Sequence, residues 1–272
     1  MNAQRGPLMI AIIGAGKMGE ALLAGLLARG HAPADVLVTE PREEHAAELR
    51  ARHGVETVPA VDAAKRADTL LLALKPQDMS ALLEELSPHV SDGHLVISVA
   101  AGLTTAVMEN HLAPGVPVVR AMPNTPALMG RGMTAVSGGS YAGAGHLDRA
   151  EELLGAVGEV LRVGERHMDT VTAISGSGPA YFYFIAETMI EAGVAMGMPR
   201  ATAQRLVGQT ITGAAAMLDG SGEHPVVLRE AVTSPGGTTA AALRELERHG
   251  VRTAFTDAIE AARDRSRDLS ES

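Results

Sequence analysis

The stretch Leu8 to Gly19, LMIAIIGAGKMG, decides the fold. Its first six residues are all apolar, and they run directly into glycines at 14, 16 and 19. EALLAGLLARG follows, with Leu22, Leu23, Leu26 and Leu27 at helical spacing. A short continuous apolar run ended by glycines reads as a buried strand and a tight turn, and the leucine spacing reads as a helix. In G-x-G-x-x-G at such a junction, Gly14 makes the turn, Gly16 admits a pyrophosphate, and Gly19 lets helix and strand close together. The helix start, with Lys17 and Met18, then presents its free backbone N–H groups to the phosphates.

The same grammar repeats outward from this stretch. VLVT at 36–39, the run at 70–74, LVISV at 95–99 and PVV at 117–119 read as further strands, with helix-like segments at 42–52 and 77–86 between them. Strands apolar on both faces that alternate with helices imply a parallel sheet covered on both sides. The expected fold class is therefore α/β, an N-terminal doubly wound, mostly parallel sheet. Past Gly164 the β-type runs stop and long helices begin, from Pro179, Pro199, Pro225, Thr238 or Thr239, and Val251. The expected domains are 1–165, binding a dinucleotide, and 166–272, all helical. The second is small for the apolar surface of its first helix, and small residues in GQTITGAAAM at 208–217 allow close helix contact. These helices are expected to pack on a second copy of the chain, a homodimer at least.

Composition narrows the function. A formal charge of −9 argues against a general nucleic-acid binder. Cysteine is absent, which excludes disulfides, thiolate metal sites and a cysteine nucleophile. The apolar run at the start is too short for a signal-peptide core or a membrane span, so a cytoplasmic protein without a membrane partner is expected. The only lysines are Lys17, Lys65 and Lys75, and any chemistry in the C-terminal part must proceed without one. The histidines are scattered with no metal-ligand spacing, and His45, His53 and His249 read as surface residues. Tyr181, Phe182, Tyr183 and Phe184 are consecutive and read as core packing before ligand stacking.

Candidate site residues follow from the strand ends, because open α/β sheets bind ligands at the carboxyl ends of their strands. Glu40, after the second strand, stands where an acidic residue binds the ribose 2′-hydroxyl of NAD, while Arg42 is placed to pair with the 2′-phosphate of NADP. A solvated surface pair is an equal alternative for both. Ala73, Lys75 and Pro76 end the third strand and Ala100 and Ala101 the next, although Lys75 reads equally well as an ordinary surface lysine. Asn124 lies in the loop Met122 to Pro126, positioned either for the ligand or for a turn. SGSGP at 175–179 opens a helix, where Ser175 and Ser177 fit capping and substrate contact equally. VTSPGGTT at 232–239 is uncharged. Pro235 fixes one φ angle and Gly236 and Gly237 free the next two, so its N–H groups can converge on a small anion. Thr238 or Thr239 as a helix N-cap is the plainer reading, and the two are compatible.

GAGKMG, ALKPQD, SVAAGL, RAMPNTP, SGSGPAY and VTSPGGTTAAALRELE, in this order and spacing, resemble the Δ1-pyrroline-5-carboxylate reductases, enzymes of the last step of proline biosynthesis. The similarity covers nearly the whole chain. It implies an N-terminal Rossmann domain, a C-terminal helical dimerisation domain, and an NADPH- or NADH-dependent reductase, with NADPH the commoner choice and Glu40 the residue against it. It also implies that Ser234, Gly237, Thr238 and Thr239 hold the substrate carboxylate, with Ser177 nearby, that Thr239 meets the imine nitrogen as the catalytic hydroxyl, and that this loop serves the cofactor of the partner subunit. β-Hydroxyacid dehydrogenases share the two-domain plan but use a lysine on the long interdomain helix, which has none here. A non-catalytic nicotinamide sensor would need no anion loop.

Overall fold

The computed structural model describes residues 8–271. Its contacts divide the chain into two units, one that runs to Ser177 and regains the chain at Ala262, and one formed by Gly178–Ala261.

The first unit is built on eight strands in the order β3-β2-β1-β4-β5-β6-β7-β8. They are β1 Ile10–Ile13, β2 Val36–Thr39, β3 Glu56–Thr57, β4 Thr69–Leu72, β5 Leu95–Ser98, β6 Val118–Met122, β7 Gly132–Gly138 and β8 Gly158–Arg162. β1 to β6 are parallel, β7 runs antiparallel to β6, and β8 is parallel to β7. Connecting helices are α1 Lys17–Ala28, α2 Glu43–His53, α3 Ala60–Arg66, α4 Pro76–Leu86, α5 Thr105–Asn110 and α6 Ala144–Leu154, followed by the single turn α7 Met168–Val171. β1, β4 and β5 are buried along their whole length. The period-two alternation of a strand divides their side chains between two apolar layers. Ile10 and Ile12 pack with Leu22, Leu23 and Leu26 of α1 and Leu153 and Leu154 of α6. Ala11 and Ile13 pack with Leu70, Leu72, Met79 and Leu83 on the opposite face. Each fully buried leucine or isoleucine contributes about 1.5–3 kcal/mol.

β7 and β8 carry no continuous apolar run, which is why the strand pattern in the sequence passes over them. β8 lies at the sheet edge, mostly half-buried or exposed, and its Arg162 pairs with Asp148 and Glu151. Glycine fixes the start of both strands. Gly158 takes φ +151°, and a β-carbon there would lie 2.0 Å from the carbonyl oxygen of Gly132, its register partner.

One charged side chain is buried in the sheet. Arg120 on β6, 2 % exposed, donates to Glu165 Oε1 at 3.0 Å and lies 3.8 Å from Asp169 Oδ1. Glu165 Oε1 also accepts the N–H of Thr105, and Asp169 accepts the hydroxyl of Ser266 at 2.8 Å. The end of the last helix, α12 Val251–Glu271, is thereby fastened to this unit, where Leu269 also packs on Gly102.

The second unit contains α8 Gly178–Ala195, α9 Arg200–Ser221, α10 Pro225–Ala231, α11 Thr238–Arg248 and the first half of α12. α8 and α9 approach closely, with a β-carbon at Gly193 falling 3.4 Å from Cβ of Ala203. Tyr181 meets Phe255 edge-on at 6.4 Å between ring centroids. The sequence reading of the aromatic run as core needs correcting, because Phe182, Tyr183 and Phe184 are 62 %, 66 % and 69 % exposed. A helix apolar on most faces turns several of them outward when its own chain has too few helices to surround it.

Removing Glu165 and Asp169 together (Glu165→Ala with Asp169→Ala) would strand a buried guanidinium. The expected cost is about 3–5 kcal/mol, and Arg120→Met, which removes the charge itself, should cost less. Denaturant unfolding at matched protein concentration checks the order, and a double variant as stable as the parent would contradict it.

Candidate functional site

The carboxyl ends of β1, β2, β4, β5 and β6 lie along one edge of the sheet, and the first unit's candidate residues gather there. Three glycines after β1 divide the labour. A β-carbon at Gly14, where φ is +94°, would lie 2.8 Å from the carbonyl oxygen of Ala73. One at Gly19 would lie 2.0 Å from the oxygen of Gly14 and 3.4 Å from Cβ of Ala73. These two glycines, with Ala73, let the start of α1 touch the ends of β1 and β4. Gly16 is different, since nothing stands within 4 Å of a β-carbon there. The fold leaves open the space a side chain at Gly16 would fill. Gly16 is the N-cap of α1 and supplies no side-chain hydrogen bond, so the first N–H groups of the helix, at Lys17 and Met18, face that space unpaired by a cap. A dinucleotide pyrophosphate fits such a cradle.

Gly14 donates its N–H to Thr39 at the end of β2, which brings Glu40 and Arg42 to the same edge. They form one clasp. Arg42 donates from its backbone N–H (3.0 Å) and Nε (2.9 Å) to Glu40 Oε1, and from Nη2 (3.1 Å) to Oε2. The carboxylate side chain is 4 % exposed and the guanidinium 68 %. Arg42's side-chain hydrogen bonds hold the Glu40 carboxyl below its usual range, and Glu40 raises Arg42 in turn. His45, read from sequence as a surface residue, is half-buried against the glycine turn. Its Nε2 lies 2.9 Å from the carbonyl oxygen of Ala15 within the glycine turn, and its Nδ1 lies 3.3 Å from Glu48. Those two acceptors, Ala15 first, raise its pKa. No local signal marks this contact, because it exists only once α2 packs beside the turn.

Lys75 is the N-cap of α4 and Pro76 its first residue, both exposed at the end of β4. Ala100 and Ala101 form the turn after β5, where Ala100 is buried and its N–H bonds Ser98 Oγ at 3.3 Å. Asn124, after β6, has both ends of its amide engaged. Oδ1 accepts the N–H of Met133 (2.9 Å), and Nδ2 donates to the carbonyl of Ser175 (3.1 Å). It joins β6 and β7 to SGSGP. Ser175 in that segment does not cap a helix. The backbone stays helical through a π-turn at Thr172–Gly176, closed by Ser177 N–H to Thr172 O at 2.8 Å, while Ser175 Oγ bonds back to Val171 O. Small residues let the extra residue of a π-turn be inserted here, a feature that frequently marks functional sites.

Ser234, Gly237, Thr238 and Thr239 belong to the second unit. Pro235 and Gly236 (φ +70°) sit at the centre of a turn closed by Gly237 N–H to Ser234 O at 3.0 Å, the pattern of a type II turn. It delivers the chain into α11 with Gly237 as the N-cap, without a side-chain hydrogen bond. Neither threonine is therefore the cap. Thr238 and Thr239 are the first two residues of the helix, with their N–H groups among those that find no acceptor inside it. Thr238 is exposed and Thr239 half-buried.

Comparison with known proteins agrees with this geometry. Residues 165–269 match the family described as pyrroline-5-carboxylate reductase dimerisation, and residues 9–102 match NADP oxidoreductase coenzyme F420-dependent. A pyrroline-5-carboxylate reductase from Corynebacterium melassecola is 45 % identical over 264 residues, covering 96 % of this chain and 98 % of the relative. The solved pyrroline-5-carboxylate reductase from Coxiella burnetii superposes with a TM-score of 0.93 at 36 % identity, covering 98 % of this chain and all of that one. The Plasmodium falciparum pyrroline carboxylate reductase, solved with NADP bound, gives a TM-score of 0.85 at 28 % identity, with 97 % and 98 % covered. From the glycine turn of β1 to the end of the last helix, the chain belongs to the pyrroline-5-carboxylate reductase family.

Proposed function

We propose that this chain reduces 1-pyrroline-5-carboxylate to proline, the last step of proline biosynthesis, with NADH or NADPH. The observation that carries the reading is the Ser234–Thr239 turn, an uncharged loop that ends in a helix N-terminus with no side-chain cap. It suits a small cyclic imine bearing one carboxylate. Bound reduced nicotinamide would supply the hydride to the imine carbon. The N–H groups at Thr238 and Thr239 and the hydroxyl of Ser234 bind and orient the carboxylate, Gly237 turns the chain into that helix start, and Ser177 borders the substrate. The Thr239 hydroxyl hydrogen-bonds the imine nitrogen, which leaves the reaction carrying one proton more than a neutral imine. An iminium is already electrophilic, so positioning and charge stabilisation do most of the work. Gly14, Gly16, Lys17, Met18 and Gly19 hold the pyrophosphate, Glu40 and Arg42 the adenosine end, and Ala73, Lys75, Pro76, Ala100, Ala101 and Asn124 line the remaining edge.

The working form in this reading is a homodimer at least, with the exposed Phe182, Tyr183 and Phe184 covered by a second copy and the loop of one subunit serving the cofactor of the other. No helix among the described residues is long and apolar enough to cross a membrane. A cytoplasmic location, where soluble nicotinamide dinucleotide is available, belongs to the same reading.

Gly16→Ala should leave the unfolding midpoint unchanged, since its new methyl meets nothing, and weaken dinucleotide binding by about tenfold or more, because the methyl occupies the pyrophosphate's space. Equilibrium titration together with a thermal melt checks both halves. Thr239→Ala should keep the fold and the cofactor affinity while kcat falls about a hundredfold; parental turnover would remove Thr239 from the reaction. Mixing these two variants, at a dinucleotide concentration too low to saturate Gly16→Ala, tests the shared site. A hybrid dimer would pair an intact Gly16 in one subunit with an intact Thr239 loop in the other, so activity returns on subunit exchange, whereas a site complete within one chain stays dead.

A further inference from the structure

We propose that Glu40 makes this chain select NADH over NADPH, with Arg42 acting as the clasp of that carboxylate and not as the seat of a 2′-phosphate. The inference rests on the dinucleotide reading of the glycine turn and goes beyond it by naming the cofactor. Three hydrogen bonds from one residue, Arg42, occupy both oxygens of Glu40 and fix its side chain at the end of β2. At that position in a dinucleotide-binding fold the acidic group meets the adenosine ribose. An ionised carboxylate only accepts hydrogen bonds. A ribose 2′-hydroxyl can donate to it, whereas a 2′-phosphate, carrying about two negative charges near neutral pH, is repelled by it.

Arg42 keeps the N–H groups that Glu40 does not take, but a 2′-phosphate seated on them would lie against the ionised carboxylate clasped by the same guanidinium. The neighbouring cations are committed as well. Arg50 bonds Glu43 at 2.5 Å and Thr57 at 2.6 Å, Arg52 pairs with Glu20, and His45 is held between Ala15 O and Glu48. From Glu40 to Arg52 the chain carries four carboxylates, Glu40, Glu43, Glu44 and Glu48, against three guanidinium groups, Arg42, Arg50 and Arg52. A cavity of about 370 Å³ beside the end of β2 has Glu40 and Glu43 as the charged groups of its described lining, with neither arginine nor lysine among them. The resemblance to the family leans towards NADPH; the local electrostatics favour the dinucleotide without the extra phosphate.

The test titrates the full-length protein separately with NADH and NADPH, following the fluorescence of bound nicotinamide at fixed ionic strength, and then measures kcat/KM for imine reduction with each. NADH should bind about tenfold tighter or more in the parent, and Glu40→Ser, which frees Arg42, should reverse the order. Tighter NADPH binding in the parent overturns the proposal, as does an unchanged ratio in a Glu40→Ser protein that still binds NADH. Should that variant not fold, the parental ratio decides alone. Binding of neither dinucleotide overturns the glycine-turn reading and this proposal with it. Preserved NADH selectivity without imine turnover leaves the selectivity standing and overturns the reductase reading.

Discussion

Gly19 has no room for a side chain. The space where its β-carbon would stand is taken by the carbonyl oxygen of Gly14, and Gly14 in turn is pressed against the carbonyl of Ala73. That contact sets how deeply the start of α1 enters the sheet edge between β1 and β4. Much of the first unit's site inherits its position from it. The unpaired amides of α1 point over the strand ends because the helix cannot stand further out. Gly14 also reaches Thr39, so the same turn brings the end of β2, and with it Glu40, to the edge. Ala15 then offers its carbonyl to His45 and so ties α2 to the turn. A tolerance of one methyl group separates this arrangement from a steric clash, while a methyl at Gly16 would meet only the space kept for the ligand.

The two units are stabilised differently. The first has apolar layers on both faces of its sheet, with Ile10, Ile12, Leu70, Leu71 and Leu72 wholly removed from solvent. The second buries little within its own chain. Ala203 and Val207 are its buried hydrophobics among the described residues, while Met196, Leu206, Met217 and Leu218 are each more than half exposed. Helices of this kind gain most of their stability from an apolar face packed on something else. In the proposed dimer the missing partner is a second copy, so stability of the helical unit and subunit concentration are linked by mass action. A site completed across the same interface makes folding, assembly and catalysis one equilibrium.

What was legible in the sequence was whatever depends on runs and spacing. β1, β2, β4 and β5 announce themselves by continuous apolar stretches, α1 by its leucines, and α8 to α12 by length and by the glycines and prolines between them. β7 escaped because its buried residues mix glycine, threonine and serine with the apolar ones, β8 because an edge strand half open to solvent needs no apolar run, and Arg120 because a buried arginine looks like any other until Glu165 and Asp169 arrive from 45 and 49 positions away. The candidate residues of the sheet edge were legible as strand ends, yet their side-chain partners were not. Nothing in the spacing shows that Asn124 spends its amide on Met133 and Ser175. The capping role considered for Ser175 failed for a related reason. A π-turn keeps the backbone helical through it, and an inserted residue in a run of small side chains leaves no periodicity to read.

The absence of lysine beyond position 75 bears directly on the chemistry. A cradle for a carboxylate could be made with an ammonium group, but the substrate's other polar atom is an imine nitrogen that must carry a positive charge to be attacked readily. A full cation within a few ångströms would disfavour that protonated form. Backbone N–H groups at a helix start attract the carboxylate with partial charges of fixed direction, and a threonine hydroxyl can meet the nitrogen without bringing charge. In the proposed site, a turn with proline and glycine at its centre, followed by two threonines and no ionisable side chain, keeps anion binding and iminium reactivity from opposing each other. In the proposed site the same reasoning weighs against a strong acid in the loop. A carboxyl placed at the nitrogen would repel the substrate carboxylate held beside it, so the proton is better brought by the substrate than by the protein.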